Sequence, residues 1–583
     1  MTASLTTRIE REVAVVRFAN PPLNTLDAAL RDALASALDE LAGRPGLRAV
    51  VLAGQGRHFA AGPPLEPDEP PERPPTLAAL CARVETFAVP VVVALRGMCL
   101  GPGLELALAA AGRVAAQDAR LGCPEVTLGV TPRAGGSQRL VRLAGPAAAL
   151  EMLLEGSPVT AARAAEIGLL DRVVEEEDPL PAALEQAHAL ASGALPRRQA
   201  CAVRRGIADG ARLLSEVALA RRAVAGSRLL APGRIVDCVE AAALLPWEAA
   251  VAFEAAAFED CAASAESRAL RHVMRAELAA DIPGAEAARA ARAVRALGFL
   301  DCSAAAAALA ARALERGLLV TVATADGAAA GEARERIEAA ARGRNLRGTL
   351  SFTPDPGVLA AADAIIEAGS GEARGRARAA LVQRLPPTTP LLALFSDPDS
   401  IEFGPAAAGE LSRRLVAAVP APAGRLVELI AAERSGSECG AERGAQVEAV
   451  DRAADGAAVD AAEEALAAAE AVARALGLMP VVARGRAISA TLRLAMERAA
   501  GWLVEKGATP AAVDGALRAA GFTRLPFAAM DSEGLEHAAR RLARAAPGRP
   551  PLRLLGRLVE LGRRGRASGQ GFYGHDREGR LLP

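Results

Sequence analysis

The segment that decides the fold is GMCLGPGLELALAAAGRVAAQDARLGCPEVTLGVTPRAGGSQRLVRLAG, residues 97–145. The apolar run VPVVVAL at 89–95 has the pattern of a buried strand, and it leads into the glycine-rich turn and the helical stretch with which this segment begins. The same succession of strand, turn and helix continues to about residue 180. It predicts an α/β layer.

Changes of pattern divide the chain into four parts. Residues 1–190 carry the α/β pattern and begin with a predicted strand at 8–18, while residues 191–290 are alanine-rich and predicted to be a helical linker. A second α/β unit is predicted over 291–480, and the remainder, 481–583, is predicted to be helical. A length of 583 residues is in the range expected for three or four domains.

Composition sets broad limits on partners and location. A net charge of −1 gives no reason to expect nucleic acid or an anionic membrane as a partner. No apolar run is long enough to span a bilayer and the N-terminus lacks a signal-peptide pattern, so we expect no membrane association and a cytoplasmic location. The eight cysteines include no CxxC pair, which predicts neither disulfides nor a metal site.

Four segments of the first part carry a family resemblance. They are NPPLNTLD at 20–27, RHFAAG at 57–62, the segment at 97–145, and TAARAAEIGLLDRVV at 160–174. In this order they closely resemble the signature of the enoyl-CoA hydratase/isomerase (crotonase) superfamily. The resemblance implies a crotonase (ClpP/crotonase-like) fold for residues 1–190, with a coenzyme A thioester as substrate and no cofactor or metal required.

Two glutamates, Glu105 in GLELA and Glu125 in CPEVTLG, fall on the positions of the family's catalytic residues. Hydration of an α,β-unsaturated thioester requires a base that activates water at Cβ and a proton source for Cα. The shift of a double bond requires at least one proton shuttle. The resemblance implies that the two carboxylates share the attacking water. The alternative for Glu105 is that an acidic residue suits the first turn of a helix, at the positive end of the helix dipole.

The sequence departs from the family at the oxyanion hole, where two backbone N–H groups hold the thioester oxygen. The resemblance places Pro63 and Pro102 on these two donor positions, and proline has no N–H. Loss of one such donor lowers rates by about 10²–10³, so we predict a damaged hydratase. Proline also suits the first turn of a helix and a proline-rich loop. Substitute donors would come from Gly103 or Leu65 after a small backbone shift.

The second α/β unit resembles the opening of the 3-hydroxyacyl-CoA dehydrogenases at residues 291–326, which implies a Rossmann-like domain. A working GxGxxG fingerprint lets the backbone approach a pyrophosphate closely. In this sequence the three glycine positions are occupied by Asp301, Ser303 and Ala306. Asp301 adds a negative charge where the pyrophosphate would lie, so we predict that NAD binding is lost.

The catalytic positions of the dehydrogenase are also altered. RLVAAVPAPAGRLVELI at 414–430 resembles the segment around the family's catalytic histidine, whose position is Val416, while the glutamate that orients the histidine is kept as Glu428. The family's serine and substrate-binding asparagine correspond to Asp397 and Leu492. We therefore predict that dehydrogenase activity is absent and interpret Glu428 as a relic. The resemblance continues through 481–583, which it implies to be a single all-α dehydrogenase-type repeat.

Three functions remain open from the sequence. The first is an acyl-CoA enzyme of the fatty acid β-oxidation type, a hydratase or isomerase that uses Glu105 and Glu125. The second is a pseudoenzyme that binds acyl-CoA or acts as a scaffold, and an altered crotonase reaction is a third alternative. The resemblance further implies a homo-oligomer or an association with a thiolase.

Overall fold

The computed structural model describes residues 3–62, 73–281, 294–368, 384–385, 389–394, 415–420, 426–431, 464–484, 488–545, 552–576, 578 and 580. The chain forms two compact units, Met1–Leu278 and Ala279–Pro583. Within the described residues, no helix is both long and apolar enough to cross a membrane. The seven cysteines in these ranges are all free.

The first unit is built on a six-stranded sheet with the order β1-β2-β3-β4-β6-β9, in which β1 and β2 pair antiparallel and the other pairs are parallel. Its central strands are continuous apolar runs because both faces of the sheet are covered. A small second sheet has the order β5-β7-β8. The strands are β1 Ser4–Glu10, β2 Val13–Ala19, β3 Ala49–Gly54, β4 Val91–Leu95, β5 Met98–Leu100, β6 Gly112–Ala116, β7 Arg120–Gly122, β8 Val159–Thr160 and β9 Arg172–Val174.

Helices surround these sheets and confirm the α/β layer predicted from the sequence. Several begin at a side-chain cap, such as Asp27, which accepts a hydrogen bond from the N–H of Leu30. The helices are α1 Ala28–Ala42, α2 Leu77–Thr86, α3 Pro102–Ala109, α4 Gly136–Ala144, α5 Pro146–Glu155, α6 Ala161–Glu166, α7 Leu180–Ala191, α8 Gly210–Val224, α9 Leu230–Leu244, α10 Trp247–Ala262 and α11 Ala265–Asp281.

The predicted single strand at 8–18 is wrong, because the structure has a hairpin there. The chain turns at Arg11 and Glu12, both of which have positive φ angles, 44° and 69°. A turn of this kind is normally marked by glycine or asparagine. Neither residue is present, and the apolar alternation runs on through both strands, so the sequence pattern contains no sign of the turn.

The helices after residue 190 belong to the same compact unit as the α/β layer. They contribute Leu213, Val217, Ile235, Val236 and Val239 to the main hydrophobic core of that unit. Burial of each such side chain stabilises a fold by about 1.5–3 kcal/mol. The segment therefore does more than connect two domains, and the boundaries placed at residues 190, 290 and 480 stay predictions.

The second unit contains an eight-stranded sheet with the order β12-β11-β10-β13-β14-β15-β16-β17. Its first six strands follow the order 3-2-1-4-5-6 that is typical of dinucleotide-binding folds, and only the β15–β16 pair, of those described, is antiparallel. The strands are β10 Ala296–Phe299, β11 Leu319–Ala323, β12 Thr349–Thr353, β13 Ala364–Ala368, β14 Leu391–Leu394, β15 Leu415–Pro420, β16 Leu426–Ala431 and β17 Met479–Arg484.

The helices of the second unit fall into two groups. Two of them, together with a helical stretch at 464–475, accompany the sheet, and the others form the predicted helical region at the C-terminal end. They are α12 Ala304–Glu315, α13 Gly327–Ala340, α14 Ile488–Glu505, α15 Pro510–Ala519, α16 Pro526–Glu533, α17 Leu535–Ala545 and α18 Arg553–Glu560.

Candidate active site

Glu105 and Glu125 each follow a strand of the small sheet. Glu105 lies in the first turn of α3 just after β5, and Glu125 lies in the 3₁₀ turn Pro124–Leu128 just after β7. The strands β5 and β7 are parallel neighbours, with Leu100 paired to Gly122. Because the carboxyl ends of parallel neighbouring strands meet at one edge, the pairing brings the two glutamates to one site.

Gly101, between β5 and α3, allows this close approach. Its φ angle is +54°, a region that disfavours residues with a Cβ, and a Cβ placed there would lie 3.2 Å from Oε1 of Glu125. The N–H of Gly101 donates to the carbonyl oxygen of Gly122 at 2.9 Å, which ties the start of α3 to the end of β7. Glycine at 101 therefore suits both the positive φ angle of the turn and the close approach of the carboxylate.

The two carboxylates have different surroundings. Glu105 is buried, and its Oε1 accepts hydrogen bonds from the N–H groups of Ala134 at 2.8 Å and Gly136 at 3.0 Å. Glu125 is half-buried as a residue, but both of its carboxylate oxygens are buried and, within the described residues, have no hydrogen-bond partner. Since buried carboxylate oxygens normally have partners, Glu125 has lone pairs free for a substrate or a water molecule.

The pKa values of both carboxyl groups are raised. Burial, followed by the charges of Glu254 and Glu125, raises the pKa of Glu105 to about 8. Burial is also the main cause at Glu125, with a further contribution from Glu254, and raises its pKa to about 7. Arg133 opposes both shifts. Carboxyl groups with such values exchange protons near neutral pH, as acid–base chemistry requires.

A third carboxylate, Glu254, was not found by the sequence reasoning. It lies on α10 and is fully buried against the loop at 134–137, whose N–H groups also donate to Glu105. A signal was present, because Ala250, Ala257 and Cys261 are buried on the same helix face at helical spacing and place Glu254 among core positions. Among the described residues, no three His, Cys, Asp or Glu side chains are arranged to hold a metal ion.

Pro102 lies at the first position of α3, where proline suits helix geometry. It therefore supplies no N–H at the donor position predicted from the family, and Pro63 lies outside the described residues. The first N–H groups after Pro102 are those of Gly103 and Leu104, which helix geometry leaves without an intrahelical acceptor. These two groups are the candidates for a substitute donor on α3.

The segment that leads to Pro63 runs beside the strand that leads to Pro102. Ala60 forms a parallel bridge with Cys99, and its carbonyl oxygen accepts a hydrogen bond from the N–H of Leu100 at 3.0 Å. A Cβ at Gly103 would lie only 2.2 Å from the same oxygen. The described backbone segments that precede the two predicted donor positions are therefore neighbours.

The residues predicted to occupy the dinucleotide fingerprint lie at the start of α12 and make a helix-capping contact. Ser303 is the N-cap of α12, and its Oγ accepts a hydrogen bond from the N–H of Ala306 at 3.2 Å. That N–H is one of the groups that a phosphate would use at a helix N-terminus. Ala306 is fully buried and Asp301 is half-buried. The N–H of Ala306 therefore already has a hydrogen-bond acceptor in the side chain of Ser303.

The dehydrogenase positions do not assemble a polar cleft among the described residues. Val416 is buried on β15, whereas Leu492 on α14 is two-thirds exposed, and Asp397 lies outside the described residues. Glu428 accepts hydrogen bonds from the N–H of Ser489 at 2.9 Å and from its Oγ at 3.0 Å. The reading of Glu428 as a mere relic is incomplete, because its carboxylate fastens the N-terminal end of α14 to the sheet.

Comparison with protein families gives two matches. Residues 8–204 match the enoyl-CoA hydratase/isomerase family, and residues 488–575 match the C-terminal domain of 3-hydroxyacyl-CoA dehydrogenase. Both matches agree with the segments quoted above. They confirm the predicted resemblance and fold class, a crotonase-type α/β fold followed further along the chain by a dehydrogenase-type helical domain.

Individual relatives agree with these matches. A peroxisomal bifunctional enzyme of Danio rerio is 34% identical over 273 residues, which is 47% of this chain and 38% of that protein. A fatty acid oxidation complex subunit alpha of Shewanella loihica is 34% identical over 281 residues, 46% of this chain and 40% of the relative. A probable enoyl-CoA hydratase of Bacillus subtilis is 37% identical over 191 residues, 32% of this chain and 73% of the relative. The matched part spans about two-fifths of the bifunctional relatives.

Among solved structures, an enoyl-CoA hydratase subunit I from Geobacillus kaustophilus is 29% identical, with 45% of this chain and 90% of that chain covered and a TM-score of 0.31. An enoyl-CoA hydratase/isomerase from Pseudoalteromonas atlantica is 25% identical, with 47% and 97% covered and a TM-score of 0.36.

Proposed function

Because this chain belongs to the enoyl-CoA hydratase/isomerase family, we propose that its first unit binds an enoyl-CoA thioester and hydrates or isomerises the double bond with Glu105 and Glu125. The observation that carries the proposal is the meeting of these two buried carboxylates at the ends of β5 and β7, with the oxygens of Glu125 left free for water or substrate. A hydration assay with crotonyl-CoA tests it directly.

In the proposed reaction the two carboxyl groups carry one proton between them. The ionised carboxylate accepts a proton from water as the water oxygen bonds to Cβ, and the protonated carboxyl donates its proton to Cα. The double-bond electrons pass into the thioester carbonyl and return when Cα is protonated. The N–H groups of Ala134 and Gly136 hold Glu105 in place throughout, and Glu125 faces the water.

Negative charge on the thioester oxygen requires a donor during this reaction. Pro102 offers none, so we propose that the N–H of Gly103, on the next residue of the same helix turn, replaces it. A donor displaced by one residue aligns less well with the oxygen, which supports a hydratase slower than its relatives. The proposed substitute Leu65 lies outside the described residues.

The rate of hydration should depend on pH as a bell-shaped curve with its maximum between about pH 7 and pH 8. The pKa of Glu125 is raised to about 7 and that of Glu105 to about 8, so the pair holds a single proton in this window. Below it both groups are protonated and no base remains; above it both are ionised and no acid remains. Initial rates with crotonyl-CoA from pH 5 to pH 10 measure the curve, and a flat profile from pH 6 to pH 9 would contradict the assignment.

A second candidate function is a non-catalytic acyl-CoA-binding protein or scaffold. Pro102 at the start of α3 favours it, because the missing N–H weakens catalysis but leaves the pocket able to bind a thioester. Tight binding of an acyl-CoA without any turnover of crotonyl-CoA would favour this function over the hydratase.

We also propose that the second unit does not use NAD, and we expect the full chain to bind NADH with a Kd weaker than 1 mM. The fingerprint glycines are replaced, and Ser303 already caps the N–H of Ala306. Fluorescence titration of NADH measures the affinity. As a comparison, the double variant Asp301→Gly with Ser303→Gly should bind NADH more tightly than wild type, and a submillimolar Kd for the wild type would overturn the proposal.

A further inference from the structure

Glu254 is the most completely bonded carboxylate near the site, although it comes from α10, far along the chain. Its Oε1 accepts hydrogen bonds from the N–H groups of Gly135 at 2.6 Å and Gly136 at 3.1 Å. Its Oε2 accepts one from the N–H of Ser137 at 2.8 Å and another from the hydroxyl of the same residue. Glu254 therefore binds three successive N–H groups at the N-terminal end of α4, where the N-cap residue Gly135 has no side chain to accept them.

The same loop also holds Glu105. The N–H of Gly136 lies between the two carboxylates, 3.0 Å from Oε1 of Glu105 and 3.1 Å from Oε1 of Glu254. A Cβ at Gly136 would lie 2.6 Å from Oε1 of Glu105, so the backbone approaches that carboxylate as closely as glycine permits. Any movement of the loop therefore moves the hydrogen bonds that orient Glu105.

We infer that Glu254 is a positioning residue for the reaction at Glu105 and Glu125, and that α10 is for this reason part of the active site. This inference rests on the proposed function. Without the carboxylate of Glu254, the buried N–H groups of Gly135 and Ser137 lose their acceptor, and unsatisfied buried donors destabilise the arrangement that contains them. The loop would then shift, and Oε1 of Glu105 would lose its fixed direction.

Glu254 also acts on the pair through its charge. Burial raises the pKa of Glu254, while the hydrogen bonds from the loop favour the ionised form. Among the described residues, the titratable groups that interact with its charge include Glu105, Glu125, Arg139, Cys81, Cys123 and Cys238, while Arg133 lowers the pKa values of Glu105 and Glu125. Its negative charge contributes to the raised pKa values of Glu105 and Glu125.

The test compares Glu254→Gln with Glu259→Gln, an exposed glutamate on the same helix. Glutamine keeps the size of the side chain, but its amide nitrogen cannot accept hydrogen bonds and its charge is zero. We expect Glu254→Gln to lower kcat for crotonyl-CoA by about 10–100-fold, because small misplacements of a catalytic group have effects of this order. KM should change little. Removal of the negative charge should move the acid limb of the pH profile to lower pH, which a purely structural role would not do.

Two further measurements need no turnover, so they separate this inference from the proposed function. Hydrogen exchange of a peptide that covers 133–140 should become faster in Glu254→Gln than in Glu259→Gln. Infrared titration of the protonated carboxyl band, assigned with Glu105→Gln, should show a lower pKa for Glu105 in Glu254→Gln. If the wild type hydrates no enoyl-CoA, the proposed function fails while these two measurements still decide the role of Glu254.

Unchanged exchange and an unchanged carboxyl titration in Glu254→Gln would overturn the inference. If that variant does not fold, Glu254→Asp replaces it, since aspartate keeps the charge but withdraws the carboxylate from the loop. We then expect lower kcat and faster exchange at 133–140 with the acid limb in its wild-type position. Wild-type kcat and exchange in Glu254→Asp would equally overturn the role assigned to this side chain.

Discussion

Replacing Glu125 with glutamine is expected to lower the rate of crotonyl-CoA hydration by about 10²–10⁴-fold, the usual contribution of a positioned general acid or base. Both carboxylate oxygens of Glu125 are buried and have no hydrogen-bond partner within the described residues, so the substitution breaks no side-chain hydrogen bond there. The amide of glutamine can neither accept a proton from water nor donate one to the substrate near neutral pH. The loss of absorbance of the conjugated thioester measures the rate.

The same substitution should stabilise the protein at alkaline pH. Burial favours the protonated form and raises the pKa of Glu125 to about 7, so the folded state is destabilised as pH rises from about 4.5 through 7 and the group ionises. Glutamine cannot ionise and avoids this penalty. Thermal unfolding at pH 8.5 should therefore show a higher Tm for Glu125→Gln than for wild type. The control Glu155→Gln changes an exposed glutamate and should alter neither rate nor Tm. A slow variant with a lowered Tm would mean that Glu125 supports the fold.

The positions of Glu105 and Glu125 could be predicted from the sequence because each is fixed by local structure. Each follows a short strand and a glycine or proline, and a continuous family resemblance sets the register. The role of Glu254 could not be predicted in this way, since about 120 residues separate it from the loop that it binds. Only the packing of α10 brings its carboxylate to Gly135 and Ser137.

For Glu428 the sequence indicates a position in a motif but not the structural role of the side chain. The family resemblance places this residue at a catalytic position, and the sequence favours its interpretation as a relic because position 416 carries no histidine. The structure pairs it with the N–H and hydroxyl of Ser489, at the first turn of α14. The carboxylate of Glu428 thus makes structural hydrogen bonds that the sequence motif does not indicate.

The double change Pro63→Ala with Pro102→Gly is expected to raise the rate of crotonyl-CoA hydration by at least about 10². Each restored oxyanion donor stabilises the transition state by roughly 2.7–4 kcal/mol. Neither change removes a carboxylate, and Pro102 lies at the first position of α3, where glycine can adopt the same backbone conformation. Each single change should have a smaller effect, because it restores only one of the two hydrogen-bond donors of the oxyanion hole. Purified variants in the absorbance assay provide the comparison.

The control for this gain is Pro510→Gly, which removes a proline from the first position of another helix, in the second unit, and should leave the rate unchanged. Adding Glu125→Gln to the double variant should abolish the gain, because an oxyanion hole accelerates only a reaction whose proton transfers are available. A fast wild type would show that Gly103 or another donor stabilises the thioester oxygen as well as the donors predicted from the family, and would contradict this prediction. A double variant that folds and binds acyl-CoA but remains inert would place the defect elsewhere in the pocket.

Since Pro102 lies three residues before Glu105 on the same short helix, a gain from its replacement would also place the thioester oxygen at the N-terminal end of α3.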